Sequence, residues 1–350
     1  MAQKCPSSVS YSGRLLPSGK VTVGRVPPKR ISAGDARYEA ARPEHVCYKK
    51  QHWHHEDGLV TEYVAKLEER SELGLASVSN CHKGVARRYG LKGISARGRT
   101  SVREGAYLLE RRHGRRLGFY TLTCPYTDEI SIYSYNQNIN YIQRTYFQEL
   151  KREYERQGCS WSYVSVLEIQ ATRFHDTGIP VLHIHYIAPC YKQGGYEWIV
   201  ESDTLRSIWK RCLYNVLGGC VAIGASVDSS VVRTSAVGYI SKYMSKGSSE
   251  TSFLAEVCPE QLPSQWWSMS QNVRKAIKAA TIRLPQEICE SILYNPCTDP
   301  SSPLYLRYYK FVYIQSRGEE KLVGLSGNML PIPAYNALSS VPLSLHLYNL

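Results

Sequence analysis

The sequence predicts an α+β fold in which a mainly antiparallel sheet is faced by helices. Three observations predict it: short runs rich in strand formers, longer segments with apolar residues three or four apart, and their order along the chain. That order is strand, helix, strand, strand, helix, strand, helix. The first element is Gly118-Phe-Tyr-Thr-Leu-Thr-Cys124, a β-prone run stopped by Pro125. From Ile139 to Tyr154 the residues Ile139, Ile142, Tyr146, Leu150 and Tyr154 form one apolar face, with Arg144, Glu149, Lys151, Arg152 and Glu153 between them. This spacing predicts an amphipathic helix packed on the sheet. Tyr163-Val-Ser-Val-Leu-Glu-Ile-Gln170 and Val181-Leu-His-Ile-His-Tyr-Ile-Ala188 read as a hairpin across a polar loop that includes Gly178 and Pro180. A second helix spans about Asp203 to Leu217 and is closed by Gly218-Gly219. A short strand over about Val221 to Val227 leads into a third helix that includes Tyr239 and ends near Lys246.

Forty-three Lys and Arg against thirty Asp and Glu give a net charge of +13, which favours a polyanionic partner such as nucleic acid. The basic residues are concentrated. Between Lys83 and Arg116 eleven Lys and Arg face only Glu104 and Glu110. Arg111, Arg112, Arg115 and Arg116 are the candidate phosphate contacts, with a solvated face as the plain alternative. The eleven cysteines are dispersed and form no Cys-x-x-Cys pair, so a disulfide framework and a zinc ribbon are both disfavoured. With no apolar run of membrane-spanning length, a cytoplasmic protein without a membrane partner is expected. The expected organisation is a basic flexible arm over 1–40, a basic and partly helical region over 41–117, the chemistry-bearing domain over 118–250, and a C-terminal extension of unassigned fold over 251–350.

His183 and His185 alternate in a strand, so both imidazoles project from one face. Glu168 and Gln170 share a face of the neighbouring strand, and a two-strand ladder can bring one of them beside the histidines. Two imidazoles and a carboxylate suit Mg²⁺ or Mn²⁺ acting as a Lewis acid, with Glu168 preferred as third ligand and Gln170 as the alternative. In Gly238-Tyr-Ile-Ser-Lys-Tyr-Met-Ser-Lys246, Tyr239 and Tyr243 are four apart, as are Lys242 and Lys246, so each pair lies on one side of a helix. A tyrosine that attacks a phosphate retains the strand end as an ester, and a nearby lysine steadies the developing charge. Each motif alone also fits a purely structural role.

Taken in order, the Thr-Leu-Thr strand, the acid-bearing strand leading to His-Ile-His, and the tyrosine helix resemble the three motifs of HUH endonucleases of the rolling-circle initiator type. The resemblance covers roughly residues 118–246. It implies a central sheet of about five antiparallel strands with flanking helices, here with basic N-terminal and C-terminal extensions. It also implies metal binding by His183, His185 and Glu168, and nucleophilic roles for Tyr239 and Tyr243. The paired tyrosines are similar to those of replication proteins of isometric single-stranded DNA phages. The connection between Glu168 and His183 is longer than that family usually has, with Arg173-Phe-His-Asp-Thr-Gly178 resembling an insertion. The implied partners are single-stranded origin DNA and a host helicase and DNA polymerase. The rival expectations are a non-enzymatic nucleic-acid-binding protein and a mobilisation relaxase or transposase of the same superfamily.

Overall fold

In chain order the elements are β1 (Tyr11–Leu15), β2 (Lys20–Arg25), β3 (Val46–His54), β4 (Val60–Ala65), α1 (Ala96–His113), β5 (Leu117–Thr123), α2 (Glu129–Arg156), β6 (Val164–Ile169), α3 (Ala171–Thr177) and β7 (Leu182–Pro189). These are followed by α4 (Ser202–Leu217), β8 (Ser226–Val231), α5 (Ala236–Met244), β9 (Trp267–Met269), α6 (Gln271–Ala280), β10 (Ile282–Leu284), α7 (Gln286–Tyr294), β11 (Leu306–Ser316), β12 (Glu319–Met329) and α8 (Pro331–Leu338). The computed structural model describes residues 10–26, 46–54, 60–65, 93–124, 129–218, 226–244, 251, 254–255, 259–316, 319–340 and 342–343. They divide into two compact units, one within residues 83–278 and the other formed by 1–82 with 279–346.

The unit within 83–278 is the expected α+β domain. Its five strands run β8-β5-β7-β6-β9, each antiparallel to its neighbours. The connection β5-α2-β6 leaves a gap that β7 fills, and β7-α4-β8 returns the chain to the other side of β5, giving a split β-α-β sheet. Alternation along the strands divides the side chains between two faces. Tyr120, Leu122, Ile184 and Tyr186 take one face with Leu167 and Ile169. They meet α2 and α4, where Tyr146 and Tyr186 share a hydroxyl hydrogen bond of 3.1 Å and the Trp209 indole N–H donates to the Thr123 carbonyl at 3.0 Å. On the other face α1 and α5 pack. There Gly105 permits close approach, because a Cβ at that position would lie 2.8 Å from Val164 Cγ2 and 3.1 Å from Val273 Cγ1.

Several expectations on boundaries are corrected. The amphipathic helix begins ten residues earlier than its apolar spacing indicates, at Glu129, because polar residues such as Asn136 are buried and satisfied: its amide donates to the Pro180 carbonyl at 2.6 Å. The loop of the expected hairpin contains α3, closed by Gly178 in the left-handed region at φ 69°. The strand expected at 221–227 is β8, shifted to 226–231; residues 219–225 lie outside the described ones. The domain also extends beyond 118–250, since α1 covers one face of the sheet and β9 completes it.

The second unit replaces the expected arm and extension. The stretch read as a flexible basic arm contains the hairpin β1-β2, held by Gly19 at φ 84°, and the C-terminal stretch supplies β10, β11 and β12. Together with β3 and β4 they form a seven-stranded sheet in the order β10-β1-β2-β12-β11-β3-β4. Its core joins Leu15, Val21 and Val23 to Leu284, Leu293, Leu306, Leu325 and Met329, so apolar burial ties both ends of the sequence into one unit. Among the described residues no helix is long and apolar enough to cross a membrane.

One pH effect follows from the end of α1. His113 is half-buried, and its buried Nε2 has no hydrogen-bond partner among the described residues. Burial first, then the Arg112 and Arg116 charges, hold its ring down to about 4 from an ordinary 6.5. The unfolded chain therefore takes up a proton below pH 6.5 that the native ring resists. The associated stability is present above pH 6.5 and is lost as pH falls toward 4, by at most roughly 3 kcal/mol. Urea titrations of His113→Asn should show a flatter decline over that window than the parent; an unchanged slope contradicts the assignment.

Candidate active site

The ladder between β6 and β7 places Glu168 directly opposite His183 and Val166 opposite His185, while β5 places Thr121 opposite His185. Glu168, His183, His185 and Thr121 therefore occupy one face, as side-chain alternation requires. Glu168, His183 and His185 are all buried. The Nε2 of His185 is 2.5 Å from Glu168 Oε2, and its Nδ1 is 3.0 Å from Thr121 Oγ1, so both ring nitrogens are engaged. The His183 and His185 ring centroids are 6.0 Å apart. Gln170, the alternative ligand, lies past the end of β6. Its backbone N–H donates to the Val181 carbonyl at 2.9 Å, and its buried amide oxygen has no hydrogen-bond partner among the described residues.

The tyrosine helix lies over this face. Tyr243 stacks on His185 with ring centroids 3.9 Å apart, and Phe119 of β5 stacks on Tyr243 at 5.1 Å and packs against Tyr239 at 5.6 Å. Both tyrosines are half-buried, whereas Ile240 and Met244 from the same helix are buried. Five other tyrosines of the domain differ in their surroundings: burial pushes the phenols of Tyr120, Tyr135, Tyr146, Tyr154 and Tyr186 above their usual range, in the core between the sheet and α2. Lys242 is exposed, with Nζ 5.8 Å from the Tyr243 ring centroid, and Lys246 lies outside the described residues.

Helix α5 is anchored by α1. The Glu110 carboxylate accepts from the Ala236 backbone N–H at 2.9 Å and from the Ser235 hydroxyl at 3.2 Å, while Ser235 Oγ accepts from the Gly238 N–H at 3.3 Å. This satisfies the first donors of the helix with a carboxylate where the helix dipole favours one. Further along, Arg103 Nε donates to Ser241 Oγ at 3.4 Å.

The candidate phosphate contacts are elsewhere. Arg111 and Arg112 lie in the last turn of α1, and Arg115 and Arg116 in the 3₁₀ turn Gly114–Arg116 before β5. Leu117 is four residues from Thr121 along β5, about 13 Å at strand rise, so these arginines sit at the end of the sheet away from His185.

Two imidazoles and one carboxylate share a face, a donor set of borderline nitrogen and hard oxygen that divalent ions can use, and the Glu168 and His185 donor atoms already converge. Among the described residues no three His, Cys, Asp or Glu side chains close around one point. Holding an ion thus requires exchanging the His185–Glu168 hydrogen bond for bonds to that ion and adding His183. Thr121 can serve either state, because its hydroxyl accepts from Nδ1–H when Nε2 is a ligand and donates to Nδ1 otherwise.

Phe119 and Thr121 lie in the first motif, but the sequence gives neither an individual role, and Glu110 reads there only as an acid among the arginines. Parity would have found the first two, since Phe119 and Thr121 alternate on the strand of the first motif; Glu110 gave no local signal because its partners are more than a hundred residues away. No protein-family model, curated protein or solved structure matches this chain.

Proposed function

We propose that this protein nicks single-stranded origin DNA by metal-assisted tyrosine transesterification and so initiates rolling-circle replication. The observation that supports this most is the convergence of three segments distant in sequence: Thr121 and Phe119, Glu168 with His183 and His185, and Tyr239 with Tyr243. Mg²⁺ or Mn²⁺ held by His183, His185 and Glu168 would supply Lewis-acid polarisation of the scissile phosphate.

The chain's own residues do the rest. A tyrosine oxygen of α5 forms a bond to phosphorus as the bond from phosphorus to the 3′ oxygen breaks; the phenol proton is released and the 3′ oxygen gains one. The products are a 5′-phosphotyrosine ester and a free 3′-OH. The 3′-OH primes a host DNA polymerase, and a host helicase opens the duplex. Phe119 and His185 hold the Tyr243 ring flat, and Glu110 fixes the start of the helix that carries it. Lys242 brings positive charge near the phenolate. The four-residue spacing gives a second nucleophile one turn away, so the strand can pass from one tyrosine to the other at termination.

The test is to incubate the full chain with labelled single-stranded oligonucleotides and Mn²⁺ and to resolve the products under denaturing conditions. A 3′-hydroxyl fragment plus a protein-linked fragment is expected. Salt-sensitive binding without cleavage would instead identify a non-enzymatic DNA-binding protein. Thr121→Val, which removes the support to His185 Nδ1, is expected to lower nicking about 10- to 100-fold at limiting Mn²⁺. Recovery at high Mn²⁺ is the matching signature, and a rate equal to the parent at limiting metal contradicts it.

A further inference from the structure

Beyond β7 the chain forms a short aromatic tongue that the chemistry above does not use. Tyr191 and Trp198 form a β-bridge, and Gly194 turns between them at φ 88°. Tyr196 at its tip is 83% exposed, more than any other large apolar side chain among the described residues. Tyr191 props it edge-on, with centroids 5.6 Å apart at 82°, and packs against Trp198 at 5.0 Å. An exposed, propped tyrosine ring offers a flat surface for a base.

The tongue stands beside the basic cluster. The Cys190 N–H donates to the Arg116 carbonyl at 2.8 Å, joining its root to the turn that carries Arg115 and Arg116. On the other side of β5, the Val232 N–H donates to the Leu117 carbonyl at 2.8 Å, which brings exposed Arg233 to the same end of the sheet. The acids here are engaged: Glu197 accepts from Lys192 at 2.5 Å, and Glu110 is bound to the start of α5. Two residues past Arg233, Ser235 caps α5, which starts at Ala236, so this rim leads along the helix to Tyr239 and Tyr243.

From this juxtaposition we propose that the tongue 190–199 and the adjoining arginines form a base-stacking platform for single-stranded DNA, holding the strand that runs to the tyrosine helix. Tyr196 stacks on a base, and Arg115, Arg116 and Arg233 hold phosphates. This role rests on the nicking reading for its purpose but not for its measurement.

The test compares binding by the full chain, with EDTA present to block cleavage, of fluorescein-labelled oligothymidylate and of an abasic strand of equal length. Tyr196→Ala, at an exposed site that folding does not need, is expected to weaken oligothymidylate binding about tenfold and to leave abasic binding unchanged. Arg115→Gln combined with Arg116→Gln should weaken both strands alike and reduce the salt slope by about 0.7 per arginine. Equal affinity of Tyr196→Ala and parent for oligothymidylate, or an equal loss on both strands, overturns the platform. The two readings fail separately. Adducts with no base-dependent contribution from Tyr196 remove only the platform, and base-dependent binding without adducts from the parent removes only nicking.

Discussion

Replacing Tyr239 and Tyr243 together by phenylalanine is expected to abolish the covalent protein–DNA product, lowering its formation by roughly three orders of magnitude or more. The physical basis is specific to the hydroxyls. Phenylalanine keeps the rings that stack on His185 and Phe119, so helix α5 retains its seat and native stability should change by less than about 1 kcal/mol. The single replacements separate the roles. Tyr243 lies against His185, whereas Tyr239 touches Phe119 one helical turn away, so Tyr243→Phe is expected to slow first cleavage more than Tyr239→Phe. Tyr239→Phe should instead impair rejoining of the strand. Measured single-turnover cleavage on a labelled oligonucleotide checks both, and an unaltered first cleavage in Tyr243→Phe contradicts the order.

The second large effect concerns the histidines. Converting His183 and His185 to glutamine removes both imidazole donors at nearly constant volume and leaves Glu168 as the one remaining ligand of the set. If a divalent ion supplies several kcal/mol of stabilisation to the transition state, nicking should fall on the order of a thousandfold. DNA binding in EDTA should be retained, because the basic rim lies at the other end of β5. Equal nicking by variant and parent across a Mn²⁺ titration would remove the metal from the mechanism.

What the sequence made legible depended on locality. His183 and His185 were readable as co-facial because strand periodicity is fixed at two, and Tyr239 and Tyr243 as a pair because helical spacing is fixed near four. The register that sets Glu168 opposite His183 was open to sequence reasoning only as one of two choices with Gln170. The connection that fixes it contains α3, a seven-residue helix too short to show amphipathic spacing. β8 was displaced because Ser226-Val-Asp-Ser-Ser-Val231 is a polar edge strand, exposed at Asp228 and Ser230, without the β-branched and aromatic density of a buried one. The seven-stranded sheet was invisible for a different reason. Its hairpins β1-β2, β3-β4 and β11-β12 are local, but the pairs that join them into one sheet link residues near 20 to residues near 325 and residues near 50 to residues near 310, and no local pattern reports such a partner.

Half-buried polar groups were the other unreadable layer. Thr121 and Glu110 look like ordinary surface-compatible residues in sequence, yet one braces a histidine and the other caps the tyrosine helix. Their importance arises only when the sheet brings strands together, which is why a residue's type located the chemistry but not its support.

The most direct measurement of the central claim is to map the covalent bond itself. The full chain is incubated with Mn²⁺ and a single-stranded oligonucleotide labelled at its 3′ end, denatured, digested with protease and nuclease, and analysed by mass spectrometry. A nucleotide mass on Tyr243 or Tyr239, within the peptide that spans 236–244, is the predicted result. A label on any other residue, or protein free of nucleotide under conditions in which the oligonucleotide is cleaved, contradicts the account.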